Sequence, residues 1–395
     1  MHVDQIRITL GWSEVTPLSA YLFSALHGRV AFLLEELLWV ARRQGSPSDL
    51  ELVRCVESLS DDSRVRLVSG GATFKCLRDF APHRYAECAE QLRLLARAQL
   101  VIQNGELEAS GGPAWTSDSG SYVPGPGNGR RTIPTSTWDS GVRFDAPRLT
   151  TGHVVDFDSS AVRVDEPRSG VLNGEFLPFT ADEKRLILAK FEATIALIKR
   201  DAPAAGNLIQ TFTRTMRVRK RAQGGHGSEQ VPMEIGTIRL SNPHLPEVSP
   251  VLLAESLIHE TIHNFLSAHE YLIGPFSPEY EFDSVARPIS PWSDRPIPHA
   301  SFTHAICVYY GLWCFLRRAQ QHEDTPELRE RIFTCASGFL QGPSINDFIA
   351  IVGRTEPRIA GLFKAMQQDV IAAERPLFQL DGDTLIERFR ARIGA

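Results

Sequence analysis

Apolar residues recur every three or four positions through SAYLFSALHGRVAFLLEELLWVARRQ (19–44) and HRYAECAEQLRLLARAQL (83–100). This is the period of an amphipathic helix. The first stretch ends on basic residues, which suit a helix C-terminus. The chain over 1–104 therefore predicts a small helical bundle. From Gly105 the period disappears, and Gly, Pro and Ser dominate GGPAWTSDSGSYVPGPGNGRRTIPTSTWDSG. Residues 105–171 predict a long loop or linker carrying short strands, among them GHVVDFDSSAVRVDE.

Helical periodicity returns with FTADEKRLILAKFEATIALIKRDAP. Thr180 and Glu183 have the spacing of a capping box, and Pro203 closes the run. PMEIGTIRLSNP is short, β-like and bounded by Pro, and GTIRLS is expected at a sheet edge. Ser249-Pro250 then opens VLLAESLIHETIHNFLSAHEYL, with Ser at the N-cap and Pro at the first position. FTHAICVYYGLWCFLRRAQQ and PELRERIFTCASGFLQGP predict two further helices. The fold class expected is mainly α with a small β component, an α+β chain whose third region, 172–395, is mostly helical.

Composition narrows the function classes. Charged residues make up 23% and the net charge is −5, which argues against a nucleic-acid footprint over the molecule. One basic run, RTMRVRKRAQGG (214–225), is the exception. It reads as a solvated strand end or loop, or as a docking surface for an acidic peptide. Six dispersed cysteines without a C-x-x-C pair fit a reducing compartment. No basic n-region precedes an apolar core at the N-terminus, and runs such as AICVYYGLWCFL are too short for a bilayer. A cytoplasmic protein without a membrane segment is expected.

The chemistry lies in SLIHETIHNFLSAHE (256–270), where His259, Glu260 and His263 have the spacing H-E-x-x-H. On a helix, positions i and i+4 share a face, so His259 and His263 direct both rings to one point. Glu260 is rotated aside, where it can meet or orient a metal-bound water. Leu252, Leu253, Ile258, Ile262, Phe265 and Leu266 surround the pair. Polar groups in such surroundings cost free energy unless partnered. The bland alternative is a pair of satisfied core histidines. A metal needs a third ligand and an open position. Glu279, Glu281, Asp283, His299 and His304 all follow downstream, and His304 in the next helix is the preferred candidate. His269 reads as a surface or helix-end residue.

GTIRLSNP, LAESLIHETIHNFL and SPWSDRPIPHASFTHAICVYYGLW together resemble the HExxH-type peptide-modification proteins, which are 2-oxoglutarate-dependent peptide β-hydroxylases. The resemblance spans about residues 172 to 320. It implies Fe(II), 2-oxoglutarate and O₂ as cofactors and a ribosomally made precursor peptide as substrate. It also implies His259, His263 and His304 as metal ligands. Arg295, in the loop after Pro291-Trp292, would pair with a carboxylate of 2-oxoglutarate, since a guanidinium matches that group bidentately. Trp292 would wall the pocket or simply pack. Three histidines differ from the two-histidine, one-carboxylate set usual for such oxygenases, so Glu260 is a candidate either as a ligand itself or as a partner of the ligands. The rival reading is a zinc metallopeptidase with Glu260 as general base on the zinc water.

Overall fold

The computed structural model describes residues 2–14, 16–78, 80–104, 114–116, 121–123, 144–157, 162, 166, 169–276, 287–340, 343–352 and 356–374. Helices dominate, as the periodicity predicts, and the chain forms two compact units interleaved along the sequence. One comprises residues 1–20, 197–207 and 269–395. The other comprises residues 21–196 and 208–268.

In the second unit the helices are α2 (Pro17–Gln44), α3 (Pro47–Glu57), α4 (Asp61–Val68), α5 (Gly71–Leu77) and α6 (Tyr85–Asn104), following α1 (His2–Leu10) of the other unit. Helix α2 is long and apolar enough by composition to cross a membrane, a property the sequence expectation had denied to every segment. Its Leu22, Val30, Leu33, Leu34, Leu37 and Leu38 are buried in the protein core. Ser46 and Ser60 cap α3 and α4 through their side chains, supplying acceptors to otherwise orphaned N–H groups.

Three short antiparallel strands follow, β1 (Ala114–Thr116), β2 (Ser121–Val123) and β3 (Phe144–Asp145). The larger sheet contains β4 (Val154–Asp156), β5 (Phe176–Leu177), β6 (Thr213–Arg221), β7 (Gly227–Glu229) and β8 (Gly236–Ser241). Its order is β4-β6-β8-β7, with β5 pairing antiparallel to β6. Strands β4, β6 and β8 are parallel, and β7 runs antiparallel to β8. GTIRLS is therefore an interior strand, buried along its whole length, and not the expected edge. Among the described residues the edge beside it is β7.

The helices α7 (Ala181–Asp201) and α8 (Pro203–Phe212) lead into β6. The capping box forms as predicted: Thr180 N–H donates to Glu183 Oε2 at 2.8 Å and Glu183 N–H to Thr180 Oγ1 at 3.2 Å. Pro203 begins the next helix, consistent with its missing N–H and fixed φ.

The basic run ends in an exposed bend at 222–225 but is not otherwise solvated. Most of it is β6, in the middle of the sheet. Arg217 and Arg219 are 3% and 1% exposed. Strand alternation sends Met216 and Val218 to one face and Arg217 and Arg219 to the other. Arg217 faces Arg239 of β8 in register. Both guanidiniums reach Glu234, at 2.6 and 3.1 Å, and Lys75 binds its other oxygen. Arg239 also meets Glu166 and Glu229. Arg219 donates to the carbonyls of Val162, Leu172 and Gly174. Burial of these charges is tolerable because Arg217 and Arg239 are ion-paired and Arg219 is hydrogen-bonded to carbonyls.

The HExxH segment lies on α9 (Pro250–Ile273), opened as expected by Ser249, whose Oγ accepts from Leu252 N–H at 3.0 Å. Thr261 Oγ1 lies 2.8 Å from Thr213 Oγ1 of β6, and Phe265 packs edge-on against Phe212. The other unit contains α10 (His299–His322), α11 (Pro326–Leu340), α12 (Pro343–Val352) and a final helix over 357–374. Trp12 Nε1 donates to Gly311 O, and Arg7 pairs with Asp369, tying the N-terminal segment to these helices.

Candidate metal centre

His259 and His263 sit one turn apart on α9, and their Nε2 atoms are 3.2 Å apart. Metal–imidazole bonds of about 2.1 Å would subtend roughly 100° across that gap, between tetrahedral and octahedral values. The rings are tilted 54° to each other, with centroids 4.9 Å apart. Glu260 completes a cluster in which one donor atom from each residue lies within 4.8 Å of the others. Its Oε1 is 3.9 Å from His259 Nε2. Two imidazoles and a carboxylate form a donor set suited to Zn²⁺ or Fe²⁺.

The electrostatics favour cation uptake. Loss of hydration lowers the His259 ring to about 4, so near neutral pH its lone pair is free of a proton. Burial pushes the Glu260 carboxyl up to about 8. The charge of Glu229 adds to that rise, while hydrogen bonds from Ser228 and the Gln230 backbone oppose it. A cation beside Glu260 would supply the missing countercharge.

Strand β7 and its flanking residues hold the helix in place. His226 Nε2 lies 2.9 Å from Ser256 Oγ. Ser228 Oγ donates to Glu260 Oε1 at 2.6 Å, and Gln230 Nε2 donates to Asn264 Oδ1 at 3.0 Å. Alternate strand residues thus meet every fourth helix residue. The repeat works because two strand residues rise about 6.6 Å and four helix residues about 6 Å. Asn264 Oδ1 also accepts from Gly236 N–H, joining the ladder to β8. His226, Ser228 and Gln230 carry no sequence motif.

The remaining predicted residues belong to the other unit. His304 is buried on α10, with Nε2 3.1 Å from Glu270 Oε2. Glu270 Oε1 also accepts from Phe276 N–H at 3.4 Å. His269 is not a surface residue: it is 3% exposed and stacks on Phe276 at 4.6 Å. Trp292 packs. Its ring stacks on Tyr309 at 4.3 Å, and its Nε1 donates to Cys335 O at 2.9 Å. Arg295 is exposed on the loop, and its guanidinium has no partner among the described residues. His299 Nε2 is buried without a hydrogen bond among the described residues. Glu279, Glu281 and Asp283 lie outside the described residues.

A scan of the chain against protein-family models finds no match. A search of curated proteins finds none either.

Proposed function

We propose that this chain is an Fe(II)- and 2-oxoglutarate-dependent oxygenase that hydroxylates the β-carbon of a residue in a ribosomally made precursor peptide. The observation that carries the reading is the two-histidine, one-carboxylate cluster on a single helix, His259, Glu260 and His263. The resemblance of residues 172–320 supplies the substrate class. The balanced reaction takes peptide C–H, O₂ and 2-oxoglutarate to peptide C–OH, succinate and CO₂.

Bound iron would supply the oxidising chemistry. His259 and His263 would hold it through Nε2, with Glu260 as third ligand or as the group that orients what binds there. Ser228 and the Gln230 backbone keep the Glu260 carboxylate aimed. Ile258, Ile262, Phe265 and Leu266, all buried, line the same helix and limit water around it. His304 as a ligand and Arg295 as the 2-oxoglutarate clamp rest on the resemblance alone. Six free thiols accord with a reducing, cytoplasmic setting.

One observation favours the zinc peptidase as second reading: a sheet-edge strand, β7, runs along the HExxH helix, and such an edge can align an extended peptide. One assay separates the two. The full chain is loaded anaerobically with Fe(II), then given 2-oxoglutarate, air and the peptide encoded beside it. Succinate with a gain of one oxygen atom on the peptide supports the oxygenase. Peptide cleavage by the Zn(II)-loaded chain, without 2-oxoglutarate turnover, refutes it.

A further inference from the structure

Helix α2 turns three aromatic rings outward along one face. Tyr21, Phe32 and Trp39 are each 52% exposed. Their spacing places them within about 20° of one another around the helix. Phe32 and Trp39, two turns apart, are the neighbours among them. Phe32, Glu35, Glu36, Trp39 and Val40, with Phe80, line a shallow groove of about 600 Å³.

Charge decides what fits there. Glu35 and Glu36 sit between the two aromatic rings, and neither has an ion-pair partner among the described residues. Arg29 and Arg43 lie over the rings of Phe32 and Trp39, at 5.5 and 3.9 Å, and mark the two ends. The order along the face is cation, ring, two anions, ring, cation. A second copy packing antiparallel about the middle of this face would set Glu35 and Glu36 against themselves and Arg29 against Arg43. Like charges in register repel, so self-association is disfavoured. An anionic lipid surface would meet the same two central carboxylates.

We propose that this face of α2 docks an amphipathic helical segment of a partner polypeptide, with a central pair of Lys or Arg residues between apolar side chains. The basic pair would meet Glu35 and Glu36, and the flanking apolar residues would cover Phe32 and Trp39. From Arg29 to Arg43 the face runs about 21 Å, the length of a helix of about 14 residues. Docking an apolar stripe against a helix in this way is a common mode of peptide recognition. The proposal stands apart from the metal centre, and its failure would leave that reading untouched.

The test uses the full chain and two labelled 14-residue helical peptides. One has a central Lys pair flanked by leucines; the other is identical with a central Glu pair. Fluorescence anisotropy should show the Lys peptide binding at least tenfold more tightly. Glu35→Lys/Glu36→Lys should reverse that preference, and Trp39→Ala should weaken Lys-peptide binding about tenfold with Tm unchanged. Absence of Lys-peptide binding overturns the proposal, as does binding that both variants leave unaltered. A wild-type dimer in sedimentation that Trp39→Ala abolishes assigns the face to a second copy and also overturns it.

Discussion

Ser228 Oγ donates a 2.6 Å hydrogen bond to Glu260 Oε1, joining the edge strand to the acid of the H-E-x-x-H motif. Removing the hydroxyl leaves a buried carboxyl short of one partner, at a cost of about 1–3 kcal/mol. Ser228→Ala should therefore lower Tm and weaken metal binding in a Co(II) titration. Ser228→Thr, which keeps the hydroxyl, should restore most of both. Equal metal affinity in Ser228→Ala and wild type would show that the contact does not position the site.

Glu260 itself predicts proton release. With its carboxyl pushed up to about 8, the group is mostly protonated at pH 7 in the metal-free chain. Ligation or close approach of a cation requires the carboxylate, so uptake must expel a proton. Calorimetric titration with Zn(II) in buffers of different ionisation enthalpy should report release of up to one proton per ion at pH 7. Glu260→Gln should abolish that release. Release that persists in Glu260→Gln would place the proton on another group.

The metal helix was legible in the sequence because its signals are local: Ser249-Pro250 at the start, apolar residues at helical spacing and the histidine pair one turn apart. The capping box at Thr180 and Glu183 was legible for the same reason. The sheet was not. Arg217 and Arg219 read as solvated because their partners are distant in sequence: Glu234, shared with Lys75, for one, and the backbone carbonyls of Val162 and Leu172 for the other. GTIRLS was misplaced at the edge because nothing in Gly227–Glu229 announces a strand until β8 pairs with it. Ser228 was invisible for that reason too.

The buried cluster around Glu234 predicts an acid limb of stability. Burial alone would raise this carboxyl, but Arg217, Arg239 and Lys75 overcome that and hold it well below the usual carboxylate range. The unfolded chain takes up the proton first as pH falls. The stabilisation is thus complete above about pH 5 and lost progressively through and below about pH 4. Glu234→Gln should cost about 3–5 kcal/mol at pH 7, the range for breaking a buried ion pair. Urea unfolding from pH 7 to pH 3 should show a shallower acid slope in the variant. Parallel curves would contradict the assignment.

His27 gives a separate window. Burial, aided by the nearby Arg214 cation, lowers its ring to about 4. The unfolded ring titrates near 6.5, so the unfolded state binds more protons between those values. Stability should fall as pH drops from about 6.5 to 4, and His27→Gln should flatten that interval. An unchanged slope would sink the prediction.

Trp292 separates packing from cofactor contact. A Cβ on Gly338 would come within 2.3 Å of the indole, so Gly338→Ala forces a shift costing about 1–3 kcal/mol. Trp292→Ala should cost about 3–5 kcal/mol by opening a cavity. Thermal unfolding checks both. Retained Tm with a raised KM for 2-oxoglutarate would instead place the indole at the cofactor.

Metal content tests the centre most directly. Full-length wild type, His259→Ala, His263→Ala and His304→Ala are each loaded anaerobically with Fe(II), desalted and analysed by mass spectrometry for bound metal. One ion per wild-type chain, with loss in His259→Ala and His263→Ala, is the predicted result; loss in His304→Ala would add that ring to the ligand set. One ion retained in both His259→Ala and His263→Ala would contradict the account.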